Sequence, residues 1–380
     1  MPLDIAIFDK AKGKEVDLNQ IIVDIMVVFM LIGAVDRCLG NRFGLGGKID
    51  EALDTMGPMC VPMVGMLLLA PIIGEVLSPV IAPFFQLLGA DPAMFGPSIL
   101  ACDMGGYALA TSMAVDPQAG QFAGCILGCS LGGAISFIIP VGIGMIREKY
   151  HAHFTIGVLV GIITVPFGMI AGGIAAGYPV PMVLRNTFPI FLFSVVIALG
   201  LWKAQRASIR IFGIFGRIIS AIATVGFAIG IVQELTPVRL IEDLPSVLDG
   251  VKVVGSVAIV LCGAYPMIEL LKRAFGPGLE KFGSLLGIDR NAAVGILGGL
   301  ANIMPILGTC NTMSPAGITV SIAFAVSGSC LLGDHLGYIA SVDKSMLLPV
   351  LFSKVVGAVT ATALAAWICK KQNFSAELER

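Results

Sequence analysis

The feature that most limits what this chain can fold into is a succession of long apolar runs, recurring from Ile21 to Ile368 and separated by short polar connections. A bilayer core of about 30 Å is crossed by roughly 20 residues of helix, and nothing within it satisfies an open backbone group. Full spans are therefore expected near 20–36, 57–75, 119–146, 154–178, 182–203, 209–234, 251–271, 315–333 and 345–369, within a total of about nine to eleven. Composition agrees: 57% of the 380 residues are hydrophobic and only 13% are charged. The 47 glycines and 21 prolines suit tightly packed and interrupted membrane helices better than soluble ones. The expected fold class is an all-α polytopic integral membrane protein.

Two stretches, 76–114 and 276–312, are apolar yet cut by proline, glycine and polar residues, and are read as short helices with broken or re-entrant segments near the midplane. Basic residues assign loops to the cytoplasm: Arg37, Arg42 and Lys48; Arg147 and Lys149; Lys203, Arg206 and Arg210; Lys272, Arg273 and Lys281; Lys370 and Lys371. This puts the N-terminus outside and the C-terminus inside. The charged residues 1–18 lack the basic-then-apolar order of a cleaved signal, so the first helix is expected to stay in the mature protein. Asp36-Arg37, at the end of the first span, is read as an interfacial ion pair.

The halves resemble one another about 200 residues apart. Leu87-Leu88-Gly89-Ala90-Asp91 returns as Leu285-Leu286-Gly287-Ile288-Asp289, Leu100-Ala101-Cys102-Asp103-Met104 as Leu300-Ala301-Asn302-Ile303-Met304, and Phe122-Ala123 as Phe324-Ala325. Loop charges give the halves opposite orientations. Two inverted structural repeats are expected, 1–178 and 209–380, joined by a connecting helix in 179–208, with a substrate bound between broken helices.

A net charge of −1 offers no surface for nucleic acid. The nine cysteines, without a CxxC pair, read as packing residues; Cys125 and Cys129 lie beside Gly124, Gly128, Gly132 and Gly133 on a close-packing face. With three histidines, no histidine-based metal site is expected, and no cofactor. Ionisable groups inside spans are costly and usually face a cavity or a partner. Asp103 leads, because an apolar run precedes it and Gly105-Gly106 breaks the helix after it; its carboxylate and the helix-end carbonyls favour an ammonium ion. The alternative is a solvated vestibule or an ion pair. Tyr107 adds a cation–π face or a hydroxyl. Asn302, Thr309 and Asn311 offer neutral groups for a substrate hydroxyl, or satisfy backbone freed by the broken helix. Asp334 and His335, closing the 315–333 span, form an acid–imidazole pair that binds a cation or relays a proton, or else a solvated helix end.

Three of these strings, Ala34-Val35-Asp36-Arg37, Leu100-Ala101-Cys102-Asp103-Met104-Gly105-Gly106, and Ala323-Phe324-Ala325-Val326-Ser327 followed by Leu332-Gly333-Asp334-His335-Leu336-Gly337, resemble the ethanolamine permease family of ethanolamine-utilisation operons, EutH. The resemblance spans nearly the whole chain. It implies a permease in the cytoplasmic membrane that imports ethanolamine; it identifies neither a coupling ion nor the binding residues. The expected mechanism is alternating access, with Asp103 holding the ammonium and Asn302 with its neighbours the hydroxyl. A channel or carrier for another small polar solute remains an alternative reading, and so does an integral membrane enzyme, which lacks support from any acidic metal cluster or P-loop. A homodimer is expected only from the frequency of such assemblies.

Overall fold

A computed structural model describes residues 7–9, 14–16 and 18–371. Apart from a small antiparallel hairpin, Ile7–Asp9 with Lys14–Val16, the regular structure among the described residues is helical. Eight helices are long and apolar enough to cross a bilayer: Leu18–Cys38, Gly46–Leu87, Pro117–Met145, Glu148–Ala175, Val180–Lys203, Arg210–Leu235, Val247–Phe275 and Lys344–Lys371. They fall on eight of the nine expected spans.

The ninth, 315–333, is different. Its helix, Pro315–Gly328, stops after fourteen residues. Ser329 turns extended, Cys330 takes a left-handed φ of 57°, and a new helix begins at Asp334. Asp334 and His335 thus open a helix, where sequence reading had them closing one. The interruptions at 76 and 276 also come later than expected. The helix Met56–Leu87 continues through Pro62, Pro71, Pro79 and Pro83, and Val247–Leu286 runs 40 residues. In an apolar surrounding, neighbouring groups and local adjustment tolerate the hydrogen bond each proline removes.

Burial sorts centre from periphery. In its most apolar stretch Pro117–Met145 is 94% buried, against 11% for Leu18–Cys38 and 17% for Arg210–Leu235. The last two expose Val28, Leu31, Ile211 and Ile218, apolar side chains that water would not favour and lipid does. Trp202 and Trp367, both exposed, stand next to Lys203 and beneath Lys371, the pairing of aromatic and basic residues expected at a membrane interface.

The central helix is wide, with π-helical turns over Phe122–Gly132 and Ala134–Ile138. Its glycine stripe lies against the first broken segment: a methyl on Gly124 would stand 2.7 Å from Tyr107, on Gly128 3.1 Å from Cys102, and on Gly132 2.0 Å from the Leu100 carbonyl oxygen. Close backbone approach is what these glycines permit.

The sequence repeat has a counterpart in local geometry. Met56–Leu87 and Val247–Leu286 end on Gly89 and Gly287, with φ of 74° and 73°. In each case the next residue bonds back to a carbonyl five positions earlier, Ala90 N to Phe85 O and Ile288 N to Gly283 O, both at 2.9 Å. An aspartate then clasps two later points of the chain. Asp91 accepts from Ala93 N, Val115 N and Asp116 N; Asp289 accepts from Asn291 N, Ala292 N, Ser314 N and Ser314 Oγ. Each clasp ties the start of a short helix to the start of the helix that follows the broken segment. Asp36 is a third such device, in place of the expected pair with Arg37. Its carboxylate accepts from Phe43 N, Leu45 N and Gly46 N, while Arg37 pairs with Asp50.

Candidate functional site

Both broken segments run unwound past the centre of the helix bundle. In the first, Phe95–Ile99 ends at an extended Leu100, and the chain turns over Cys102–Met104 into Gly105, whose φ of 91° begins the helix Gly106–Met113. Ala101 N donates to Ser136 Oγ on the central helix, 3.1 Å. In the second, Gly299, Leu300 and Ala301 accept backbone bonds from Cys330, Leu332 and Asp334 at 2.8, 2.9 and 3.2 Å. Two interruptions thus satisfy one another, as unwound backbone in an apolar surrounding must.

Between them lies a cavity of about 440 Å³. Asp103, Asn302, Asp334 and His335, far apart in sequence, all line it, with Met59, Phe137 and Met304 among its apolar walls. No lysine or arginine lines it among the described residues. A second pocket of about 330 Å³ shares Thr55, Asn302 and Met304 with it and leads toward Lys48, Glu51, Glu269 and Lys272.

The two carboxylates are held differently. Asp103 lies against the backbone N–H groups of its own turn, its own and that of Met104. Asp334, in the first turn of its helix, accepts from Asn302 Nδ2 through Oδ2; the Tyr265 hydroxyl faces the same carboxylate, and the buried Oδ1 has no close hydrogen-bond partner among the described residues. A buried, unbonded carboxylate oxygen is costly unless a ligand or water completes it. Asn302 also accepts from Met304 N at 2.8 Å, so its amide is engaged at both ends. It positions Asp334.

The remaining sequence candidates lie outside the cavity wall. Tyr107 packs edge-on against Tyr338, ring centroids 6.1 Å apart. Thr309 bonds back to Pro305 O at 2.6 Å within its own helix. Asn311 donates to Met145 O and accepts from Arg147 N, both at 2.9 Å, holding the end of the central helix. Thr309 and Asn311 thus bond backbone near helix ends, the structural role weighed for them from the sequence.

Sequence reading passed over Lys354. It is 2% exposed, in the middle of Leu347–Lys371, and its Nζ donates to Cys129 O at 2.7 Å and contacts His335 Nδ1 at 3.1 Å. The signal was present: a lone lysine within an apolar span carries the same insertion cost that singled out Asp103. Cys102 Sγ, Cys129 Sγ and a His335 ring nitrogen fall within 4.8 Å of one another, with the sulfurs 3.3 Å apart. Such a set suits a thiophilic metal, but the Lys354 ammonium on the same imidazole opposes a second cation there.

The profile of the family described as "Ethanolamine utilisation protein, EutH" matches residues 18–368. The chain belongs to the EutH family. A Listeria monocytogenes protein named "Probable ethanolamine permease EutH" is 42% identical over 93% of this chain and 95% of its own length. One of the same name from Salmonella typhimurium is 39% identical over 94% and 97%. "Uncharacterized protein YxeR" of Bacillus subtilis is 41% identical over 94% and 96%. No solved structure matches. With relatives named as permeases and eight apolar helices, this EutH-family chain is a multi-pass membrane protein of transporter type.

Proposed function

We propose that the chain is an ethanolamine permease of the cell membrane, with its C-terminus in the cytoplasm, working by alternating access of two inverted repeats, 1–178 and 209–380, about the cavity between the broken segments. One observation carries the substrate chemistry: two carboxylates, Asp103 and Asp334, line a single cavity, while the described basic residue buried beside it, Lys354, brings one ammonium. The excess of one negative charge suits one monovalent cation. Ethanolamine, an amine with a pKa near the lysine value of about 10.4, carries that charge at neutral pH and crosses lipid poorly without a carrier. The names of the relatives point to the same substrate. The ammonium sits between Asp103 and the open Oδ1 of Asp334, and the second pocket is the path to the basic, cytoplasmic loops, so the described conformation is the inward-open one.

The test is binding of ethanolamine to purified wild-type and Asp103→Asn protein across pH 5–8, with a small carboxylate as control. We expect affinity to fall at least about thirtyfold in the variant at every pH, because truncating one partner of a buried charge pair costs about 2–5 kcal/mol. Wild type that bound the carboxylate and not the amine would remove the ethanolamine reading. Counterflow of labelled against unlabelled ethanolamine separates a carrier, which sustains it, from a pore.

A further inference from the structure

The proposed function leaves open what donates to the hydroxyl oxygen of the substrate; Asn302 gives one Nδ2–H to Asp334 and accepts from Met304 N, which commits it to positioning that carboxylate. The hydroxyls around the cavity are also engaged. Thr55 donates to Ala52 O at 2.6 Å, Ser130 to Leu127 O at 3.1 Å, and Ser329 to Ala325 O at 2.6 Å. Asp103 and Asp334, as carboxylates, only accept. That leaves His335.

Lys354 decides how His335 presents its proton. Held as an ammonium, Lys354 has three N–H donors and no lone pair, and the Nδ1 that faces its Nζ at 3.1 Å then accepts. A second positive charge on the ring at that distance is opposed by repulsion in a medium of low polarity. A neutral imidazole in this setting carries its proton on Nε2. Lys354 is itself fixed by Cys129 O at 2.7 Å, on the central helix. The Cε1–Nε2 edge lies along Gly133, where an added methyl would stand 3.4 and 3.8 Å from those atoms, and Gly133 and His335 both line the cavity.

We propose that His335 Nε2–H donates to the hydroxyl oxygen of the bound amino alcohol, and that Lys354 is the positioning residue that holds this tautomer. The inference rests on the proposed function and names the specificity within it. The carboxylates accept from the ammonium at one end of the solute, and a neutral ring donates to the oxygen at the other. Alkylamines without the hydroxyl leave Nε2–H unpaired, and diamines bring a second cation toward the ring beside Lys354, so the cavity selects against both.

The experiment measures binding of ethanolamine and ethylamine to the purified full-length protein in nanodiscs. We expect wild type to favour ethanolamine about ten- to a hundredfold, the range for an unpaired buried donor. His335→Leu should bring that ratio close to one while ethylamine affinity stays within a few-fold, which also reports that the variant is folded. His335→Gln, which keeps a neutral N–H donor, should retain most of the preference, and Lys354→Met should fall between. A second measurement needs no variant to fold well. In the 15N spectrum of histidine-labelled wild type, with three histidines and His335 assigned through His335→Gln, we expect Nε2 protonated and Nδ1 bare. An unchanged ratio in a His335→Leu protein that binds ethylamine, or an Nδ1–H or doubly protonated ring, overturns the inference and leaves the ethanolamine reading standing. Wild type that binds neither amine overturns that reading instead.

Discussion

The two broken segments are built alike where they enter the bundle and differ where they reach the cavity. Each follows a long helix ended by a left-handed glycine, Gly89 or Gly287, and each is clasped by an aspartate, Asp91 or Asp289, that binds backbone on both sides of the excursion. Each passes a glycine of the next transmembrane stretch, Gly132 at the Leu100 carbonyl and Gly333 at the Ala301 carbonyl. Just beyond these crossings the first segment places Asp103 in the cavity, aligned with Ile303, and the second places Asn302, aligned with Cys102, which supports a carboxylate from a different element. Similar local backbone geometry recurs in the two segments, while the side chains they bring to the cavity differ.

Three pairs of substitutions probe this comparison. The largest effect is expected at the crossings: alanine at Gly333 places a methyl 1.8 Å from Ala301 O, and at Gly132 2.0 Å from Leu100 O, both backbone contacts with no side chain to yield. Each should cost more than about 3 kcal/mol and abolish a monodisperse peak in size-exclusion chromatography; tolerance at one site alone breaks the equivalence of the halves. Next come Asp91→Ala and Asp289→Ala, each leaving several N–H groups without their charged acceptor. A loss of about 2–3 kcal/mol is expected in thermal unfolding, greater at Asp289, which also binds Ser314 Oγ. An equal loss would show that the hydroxyl adds nothing. The smallest change is Gly89→Ala against Gly287→Ala, where the left-handed backbone alone costs about 1–2 kcal/mol. With nothing within 4 Å of a Gly287 methyl and only Arg185 Nε at 3.8 Å from one at Gly89, the two shifts in melting temperature should match.

Much of this was legible in the sequence for a physical reason: lipid penalises every polar group, so an apolar run of about 20 residues reads as a helix, and each exception stands out. That reasoning reached the helices, both interrupted stretches, the aligned Leu-Gly-x-Asp strings, and Asp103, Asn302, Asp334 and His335. It overlooked Lys354, where the same rule was not applied, and it placed Asp334 and His335 at the wrong end of a helix, because hydropathy continues through Ser329 to Leu332 while the backbone does not.

By itself the sequence determined that the chain lives in a membrane, where its helices run and which few polar residues need an explanation, since these depend on local composition against a uniform solvent. Only the tertiary structure decided which of those residues meet. Asn302 and Asp334 are partners because the unwound 299–301 backbone takes its hydrogen bonds from 330–334, and Thr309 and Asn311 lie off the cavity wall, Thr309 bonded within its own helix and Asn311 to the end of the central helix. Hydrogen-bond satisfaction in an apolar interior is a property of pairs, and the members of these pairs come from elements brought together by folding.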